Sequence, residues 1–369
     1  MTTPTTLKRD LPALDVPPGP VRAEPLPADR PVRWGMLATG KIATGFAQNL
    51  ALLPECEIAA VGARRQESAD AFAAEHHAAR AYGDYRALVE DPDVDVVYVA
   101  TPHALHREHV ELALEAGKAV LCEKAFTLDA PDAEHLVALA REKNLFLMEA
   151  MWMRCNPLVR RLQQLFATGA LGDPRQVRAD LGFVIDKPST DRLLDPALGG
   201  GALLDMGIYA LTFAHLFLGE PSRVAATAAL SEAGADLNVA VSLGYPGGAV
   251  ASLTSTMTAW SPRTASIATE AGRIDVPEPF HHPSTVTWTR LSGDPDFDAP
   301  EEPETIHEDL IGTGLAHEAI EVVRCLRAGE TESPLVPLDD TVALMRLMDT
   351  IRDQIGVRYD TSHAPGSAG

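Results

Sequence analysis

Short apolar runs and longer amphipathic segments alternate through the first part of the chain. Residues 32–37, 57–61, 94–100, 119–122 and 145–148 are apolar stretches of strand length. Between them, 42–52, 68–76, 85–90, 106–116 and 131–143 repeat apolar residues at helical spacing. Gly117 stands where a helix C-cap is expected, and Pro131 where a first helical turn tolerates proline. Strands alternating with helices predict a mainly parallel sheet covered on both faces.

The rhythm changes after about residue 151. Helices are expected over 157–168 and 203–218, and strands over 176–183, 223–231, 236–245, 248–258, 265–269 and 285–290. Glycine and proline turns join several of these strands, which predicts an open, largely antiparallel sheet. Two further helices follow, over 315–328, ending near Gly329, and over 338–354. No internal repeat is present. Residues 1–31 carry eight prolines and no periodicity. They read as a disordered leader or as an ordered arm laid over the body or a neighbouring subunit. Residues 359–369 read as a loose tail.

A chain of 369 residues, 46% apolar, can build two domains with substantial cores. A net charge of -21 argues against nucleic acid and anionic lipid as partners. No apolar run approaches membrane-span length. The basic pair Lys8 and Arg9 has no apolar stretch after it, so residues 1–10 do not read as a signal peptide. Cys56, Cys122, Cys155 and Cys325 have no paired spacing and read as reduced thiols of a cytoplasmic protein.

Candidate chemistry begins at the first turn. Gly35-Met-Leu-Ala-Thr-Gly-Lys-Ile-Ala43 follows a strand and opens a helix, the context a dinucleotide fingerprint requires. Ala38, Thr39, Gly40, Lys41 and Ile42 are therefore cofactor candidates, with backbone amides facing a pyrophosphate. Gly40 permits close approach and Ala43 tight packing; Ala38 stands where the first fingerprint glycine normally sits. The second strand ends in Arg64 and Arg65 and carries no acid for ribose hydroxyls. Two arginines suit a 2′-phosphate, which favours NADP and leaves NAD open. Thr101, Pro102 and His103 close a strand at the same sheet edge. His103, His106 and His109 form a ladder without a stronger chelating signature, so no metal is assigned.

Two segments carry the reactive candidates. Lys124 ends the apolar run that includes Glu123. The glycine turn at 199–201 leads to Asp205 and Tyr209, four residues apart and on one face of a helix. Oxidising an alcohol removes a hydride from carbon and a proton from oxygen. Tyr209 can take the proton if a neighbouring ammonium such as Lys124, with the positive nicotinamide, favours its phenolate. Asp205 can orient Lys124 or bind a substrate hydroxyl.

These segments together resemble the Gfo/Idh/MocA family of glucose-fructose oxidoreductase and inositol dehydrogenase type, in the branch of trans-dihydrodiol and D-xylose dehydrogenases. The likeness spans roughly 32–358 and rests on residues 34–43, 100–103, 122–124, 146–152, 199–209 and 317–319. It implies an α/β protein with an N-terminal Rossmann domain (32–151), then an α+β domain for substrate binding and oligomerisation (152–358). It implies that Lys124, Asp205 and Tyr209 are catalytic. Ala125 replaces the family proline after the lysine, and Met153 and Cys155 also depart from the family pattern. Trp152 resembles a pocket-lining tryptophan. With Arg154, His106 and Glu123 it joins the cofactor-side set. The implied function is hydride transfer between NAD(P) and a secondary alcohol or ketone of a sugar, cyclic polyol or dihydrodiol, in a homodimer or tetramer paired through the open sheet. A non-catalytic nucleotide-binding regulator, and an enzyme using tightly bound NAD for hydrolysis or epimerisation, are the alternatives.

Overall fold

A computed structural model describes residues 14–291 and 300–359. Six strands form the first sheet: β1 (Val32–Leu37), β2 (Cys56–Gly62), β3 (Arg80–Tyr82), β4 (Val96–Val99), β5 (Ala119–Glu123) and β6 (Leu147–Ala150). Their order is β3-β2-β1-β4-β5-β6 and every pairing is parallel. Helices α1 (Lys41–Leu50), α2 (Gln66–His76), α3 (Tyr85–Val89), α4 (His106–Glu115) and α5 (Ala130–Lys143) connect them. All four residues of β4 are 0% exposed, as a strand covered on both faces must be. The strand order reverses between β1 and β4, which opens a crevice at their carboxyl ends. The sequence pattern missed β3, whose three half-buried residues are too few for a periodic signal, and placed β6 two residues early.

The chain then runs through α6 (Trp152–Cys155) and α7 (Pro157–Ala167) into an eight-stranded sheet. Its strands are β7 (Pro174–Gly182), β8 (Arg223–Leu230), β9 (Asp236–Gly244), β10 (Val250–Thr256), β11 (Ala265–Thr269), β12 (Gly272–Val276), β13 (Thr285–Arg290) and β14 (Glu304–His307). The order is β14-β13-β12-β11-β7-β10-β9-β8, antiparallel except for β7 beside β10. The sequence reading lacked β12 and β14. One face buries Val177, Ala179, Leu181, Val241, Leu243 and Leu253 against α8 (Ile208–Leu218) and its neighbours. The other presents Arg178, Ser242, Ser252 and Thr254, the alternation expected of a sheet with one face left open. Helices α9 (Ala316–Ala328) and α10 (Leu338–Ile355) return to the first sheet.

Three expectations change, and for the arm one of the two alternatives holds. The helix expected over 203–218 is a π-helical turn, Leu203–Gly207, that passes into α8. The stretch Pro196–Leu218 is long and apolar enough to cross a membrane by length and composition, but its most apolar window is 72% buried inside the protein and behaves as core. Tyr359 belongs to the body, 9% exposed with the Arg352 guanidinium 4.9 Å from its ring centroid; residues 360–369 lie outside the described residues. The arm from residue 20 onward is laid over the body. Arg22 and Ala23 donate to the Gly329 carbonyl at 3.1 Å, and Leu26 donates to that of Leu326 at 3.0 Å. These carbonyls end α9, where intrahelical donors run out. Arg30 then pairs with Asp95, donating to its Oδ1 at 2.9 Å. Residues 1–13 lie outside the described residues.

Glu149 of β6 is buried and accepts from Thr341 Oγ1 of α10 at 2.9 Å. Burial pushes its carboxyl up to about 7. Such a group favours the folded state below its unfolded value of 4.5, and the contribution is lost as pH rises through about 7. Glu149→Gln, which mimics the neutral acid, is therefore expected to melt higher than wild type at pH 8, by at least about 2 °C, and to match it near pH 4. Calorimetric melts at the two pH values test this.

Candidate active site

The β1–α1 turn places Ala38 at φ +92°, the left-handed backbone a glycine would take there. A Cβ on Gly40 would meet nothing within 4 Å, so the turn opens onto free space, and no side chain caps the first amides of α1. Ala43 is 0% exposed beneath it. The turn borders a cavity of about 580 Å³, lined by Ala38, Thr39, Gly40, Lys41 and Ile42. Arg64 and Arg65, Thr101, Pro102 and His103, and Glu123 and Lys124 line its further walls. Asp205 and Tyr209 close it from the second half of the chain.

Lys124 links the two halves. Its Nζ donates to the backbone carbonyl of Asp205 at 2.7 Å, lies 3.5 Å from Asp205 Oδ1, and sits 4.9 Å from the Tyr209 ring centroid. Burial lowers the lysine pKa, but electrostatic interaction with Tyr209, Asp205 and Glu123, each of which becomes an anion when it ionises, more than offsets this and raises it. Asp205 shows the converse: burial raises its carboxyl, and Lys124, His103 and Arg192 hold it below its ordinary value. The Lys124–Ala125 peptide is cis.

Tyr209 is held by two opposing effects. Burial pushes its phenol up to about 12, and the nearby Lys124 ammonium only partly opposes this. With protein groups alone around it, the phenol form is favoured at neutral pH, and the phenolate expected from the sequence calls on the positive nicotinamide as well as on Lys124. Its oxygen accepts from Trp152 Nε1 at 2.7 Å. Trp152 in turn stacks on His282, with ring centroids 4.8 Å apart, and His281 lies 4.9 Å from the Tyr209 ring.

Three residues assigned to the cofactor side do not line the cavity. Trp152 faces Tyr209 instead. Arg154 is buried and donates to Asp340 Oδ2 of α10 at 2.8 Å. His106 is 0% exposed, with Nδ1 2.9 Å from the Ala125 carbonyl and Nε2 2.8 Å from that of Thr101. The histidine ladder is thus divided among separate partners, since His103 Nδ1 is 3.0 Å from the Gly199 carbonyl and His109 Nδ1 is 3.0 Å from Thr101 Oγ1. His317 is structural too, its Nε2 accepting from the Ile311 amide at 3.1 Å.

Other contributors were not found from sequence. Ser68, Tyr85, Leu105, Arg192 and Leu198 also line the cavity. Ser68 accepts from Arg65 Nη2 at 3.2 Å, a three-residue spacing at a helix start that was open to inspection. Asp236 of β9 was invisible: its Oδ2 accepts from the Leu203 amide at 2.6 Å, and a Cβ on Gly201 would come within 2.1 Å of its Oδ1. This contact sets the start of the turn that carries Asp205.

Residues 32–151 match the family model described as an oxidoreductase family with an NAD-binding Rossmann fold, and residues 159–275 match the GFO/IDH/MocA C-terminal domain. A trans-1,2-dihydrobenzene-1,2-diol dehydrogenase from Bos taurus is 37% identical over 333 residues, which cover 89% of this chain and 98% of that protein. This chain belongs to the Gfo/Idh/MocA oxidoreductase family. The dehydrogenase of the same name from Homo sapiens is 38% identical over 334 residues, again covering 89% of this chain and 98% of its own length. Among solved structures, a 3-ketoreductase from Actinomadura kijaniata in complex with NADP and TDP-benzene has a TM-score of 0.77 at 28% identity, covering 90% of this chain and all of that one. An aldose-aldose oxidoreductase from Caulobacter crescentus complexed with glycerol also reaches 0.77, at 26% identity, covering 88% and 97%. Like other members of its family, the protein is an NAD(P)-binding oxidoreductase.

Neutral His106 has one N–H to give to the buried Thr101 or Ala125 carbonyl, and His106→Leu removes it, so urea unfolding is expected to show a loss of about 1–3 kcal/mol.

Proposed function

We propose that the protein transfers a hydride between NADP(H) and a secondary alcohol or ketone of a sugar, cyclic polyol or dihydrodiol. One observation carries the reading: Lys124, Asp205 and Tyr209 meet in the same cavity that the uncapped start of α1 and the arginine pair also line. The family is one of oxidoreductases on an NAD-binding Rossmann fold, and the relatives are named for diols, a ketone and aldoses, which supports chemistry at CH–OH and ketone carbons.

The amides of Lys41 and Ile42 offer donors to a diphosphate, and Gly40 leaves room for it. Arg64 and Arg65 supply paired N–H donors where a ribose 2′-phosphate belongs, with no carboxylate at the end of β2 to compete. The 3-ketoreductase structure with NADP supports the same choice. A bound nicotinamide accepts or supplies the hydride. The protein's part is the proton. In oxidation, Tyr209 Oη takes the hydroxyl proton through its ionised form; in reduction it returns one to the carbonyl oxygen. The Trp152 N–H and the Lys124 ammonium both favour negative charge on that oxygen. Asp205 holds the ammonium through its backbone carbonyl, beside its carboxylate. The open face of the eight-stranded sheet is the surface we assign to pairing with a second copy.

Tyr209→Phe and Lys124→Ala are expected to lower kcat by about 10²–10⁴ on the best sugar or diol while NADPH still binds. If both kept wild-type turnover in a dehydrogenase assay, the proton route would be wrong. Trp152→Phe removes a donor to the phenolate, raises the Tyr209 pKa, and should move the alkaline rise of the oxidation rate to higher pH. Arg64→Ala should weaken NADP binding about tenfold or more and leave NAD binding nearly unchanged, as read by coenzyme titration.

A further inference from the structure

Arg192 is the one lysine or arginine of the cavity wall that comes from beyond residue 151. It sits on a loop closed upon itself. Leu193 donates to Asp191 Oδ1 at 3.1 Å, and the Leu194 and Asp195 amides reach the Asp191 carbonyl at 2.9 and 3.0 Å. The Gly200 amide returns to the Asp195 carbonyl, and that of Gly201 to Leu193, both at 2.9 Å. A Cβ on Gly200 would lie 2.8 Å from the Arg192 carbonyl, so the glycine turn is fitted against this loop. Through Gly199 the loop also reaches the turn that follows β4, at His103. The backbone of Arg192 is therefore held in place at the cavity wall.

Its side chain, by contrast, is uncommitted. It is 52% exposed, and its nearest charge is Asp205 Oδ1 at 3.9 Å, beyond hydrogen-bond reach. Among the described residues the guanidinium makes no hydrogen bond, which leaves five N–H donors free. Lys124 lies 3.5 Å from the same Asp205 oxygen. Two cations thus share one carboxylate, and Glu123 beside them is pushed toward its neutral form by burial. The two cations, from the two halves of the chain, stand at the same wall of the cavity.

We propose that Arg192 is an oxyanion receptor at this wall of the cavity, taking carboxylate or phosphate oxygens of the bound ligands on its planar fork. The inference rests on the reading that dinucleotide and substrate share this cavity. The oxyanion has two possible sources, a phosphate of the dinucleotide or an acidic group on the substrate. A sugar acid would be such a substrate, and a neutral polyol would not.

Binding measurements on the full chain separate these without requiring turnover. NADPH is titrated by fluorescence into wild type, Arg192→Gln and Arg192→Lys. D-glucuronate and D-glucuronamide are then titrated into each NADPH complex. A weakening of NADPH binding by about tenfold or more in Arg192→Gln, partly restored in Arg192→Lys, supports the receptor with the cofactor as source. Unchanged NADPH binding, with wild type preferring glucuronate to glucuronamide and that preference lost in Arg192→Gln, supports it with the substrate as source. If Arg192→Gln changes neither NADPH affinity nor any preference between the two sugars, the proposal is overturned. Wild type that binds NADPH but oxidises no alcohol would instead count against the hydride-transfer function and leave these binding results standing.

Discussion

The ammonium of Lys124 on the backbone carbonyl of Asp205 is the contact on which the site depends. Lys124 ends a strand of the parallel sheet, and Asp205 lies in a turn that belongs to the second sheet and its helix. A charged donor on a carbonyl fixes the distance between these two elements more firmly than apolar packing does, because its direction matters. Everything reactive in the cavity is arranged around that bond. The Asp205 carboxylate lies close by, the Tyr209 ring lies beneath the ammonium, and Glu123 precedes the lysine in the chain.

Such an arrangement must be braced from both sides, since several of its charges are partly buried. On the first side, His106 spans two loop carbonyls, and the Tyr98 hydroxyl donates to Glu123. On the second, Asp236 accepts from the amide that starts the π-helical turn, and the glycines at 199–201 allow the approach. Trp152 holds the Tyr209 oxygen from behind the cavity. These residues touch neither end of the proposed hydride path, yet they set where Lys124, Asp205 and Tyr209 stand. The high pKa of Tyr209 follows from the same burial. The protein alone keeps the phenol neutral, and the charge that would ionise it has to arrive with the ligands.

Much of this was legible in the chain. The alternation of apolar runs and amphipathic segments located β1, β2, β4 and β5 and their helices within a few residues, because strands covered on both faces leave long apolar signatures. Lys124, Asp205 and Tyr209 could be picked out because each lies in a short, distinctive segment. Ala38 looked like a defect in the turn, and it adopts the left-handed backbone of the glycine it replaces. What escaped notice was short or distant. β3, β12 and β14 have too few residues to show a period. Arg154 and His106 fell on the cofactor side by residue type and neighbourhood, and both turn inward, to Asp340 and to the Thr101 and Ala125 carbonyls.

The sequence by itself determined the class of fold, the position of the nucleotide turn, the paired arginines and the identity of the three reactive candidates. Those are local properties, written in spacing and residue type within a segment. Only the tertiary structure decided which side chains share a cavity. It brought Trp152 onto Tyr209 and Arg192 towards Asp205, set Asp236 under the turn, laid the proline-rich arm along α9, and buried Tyr209 so that its phenol form is favoured. Those outcomes depend on burial and on contacts between residues far apart in the chain, and neither is encoded in any one stretch of it.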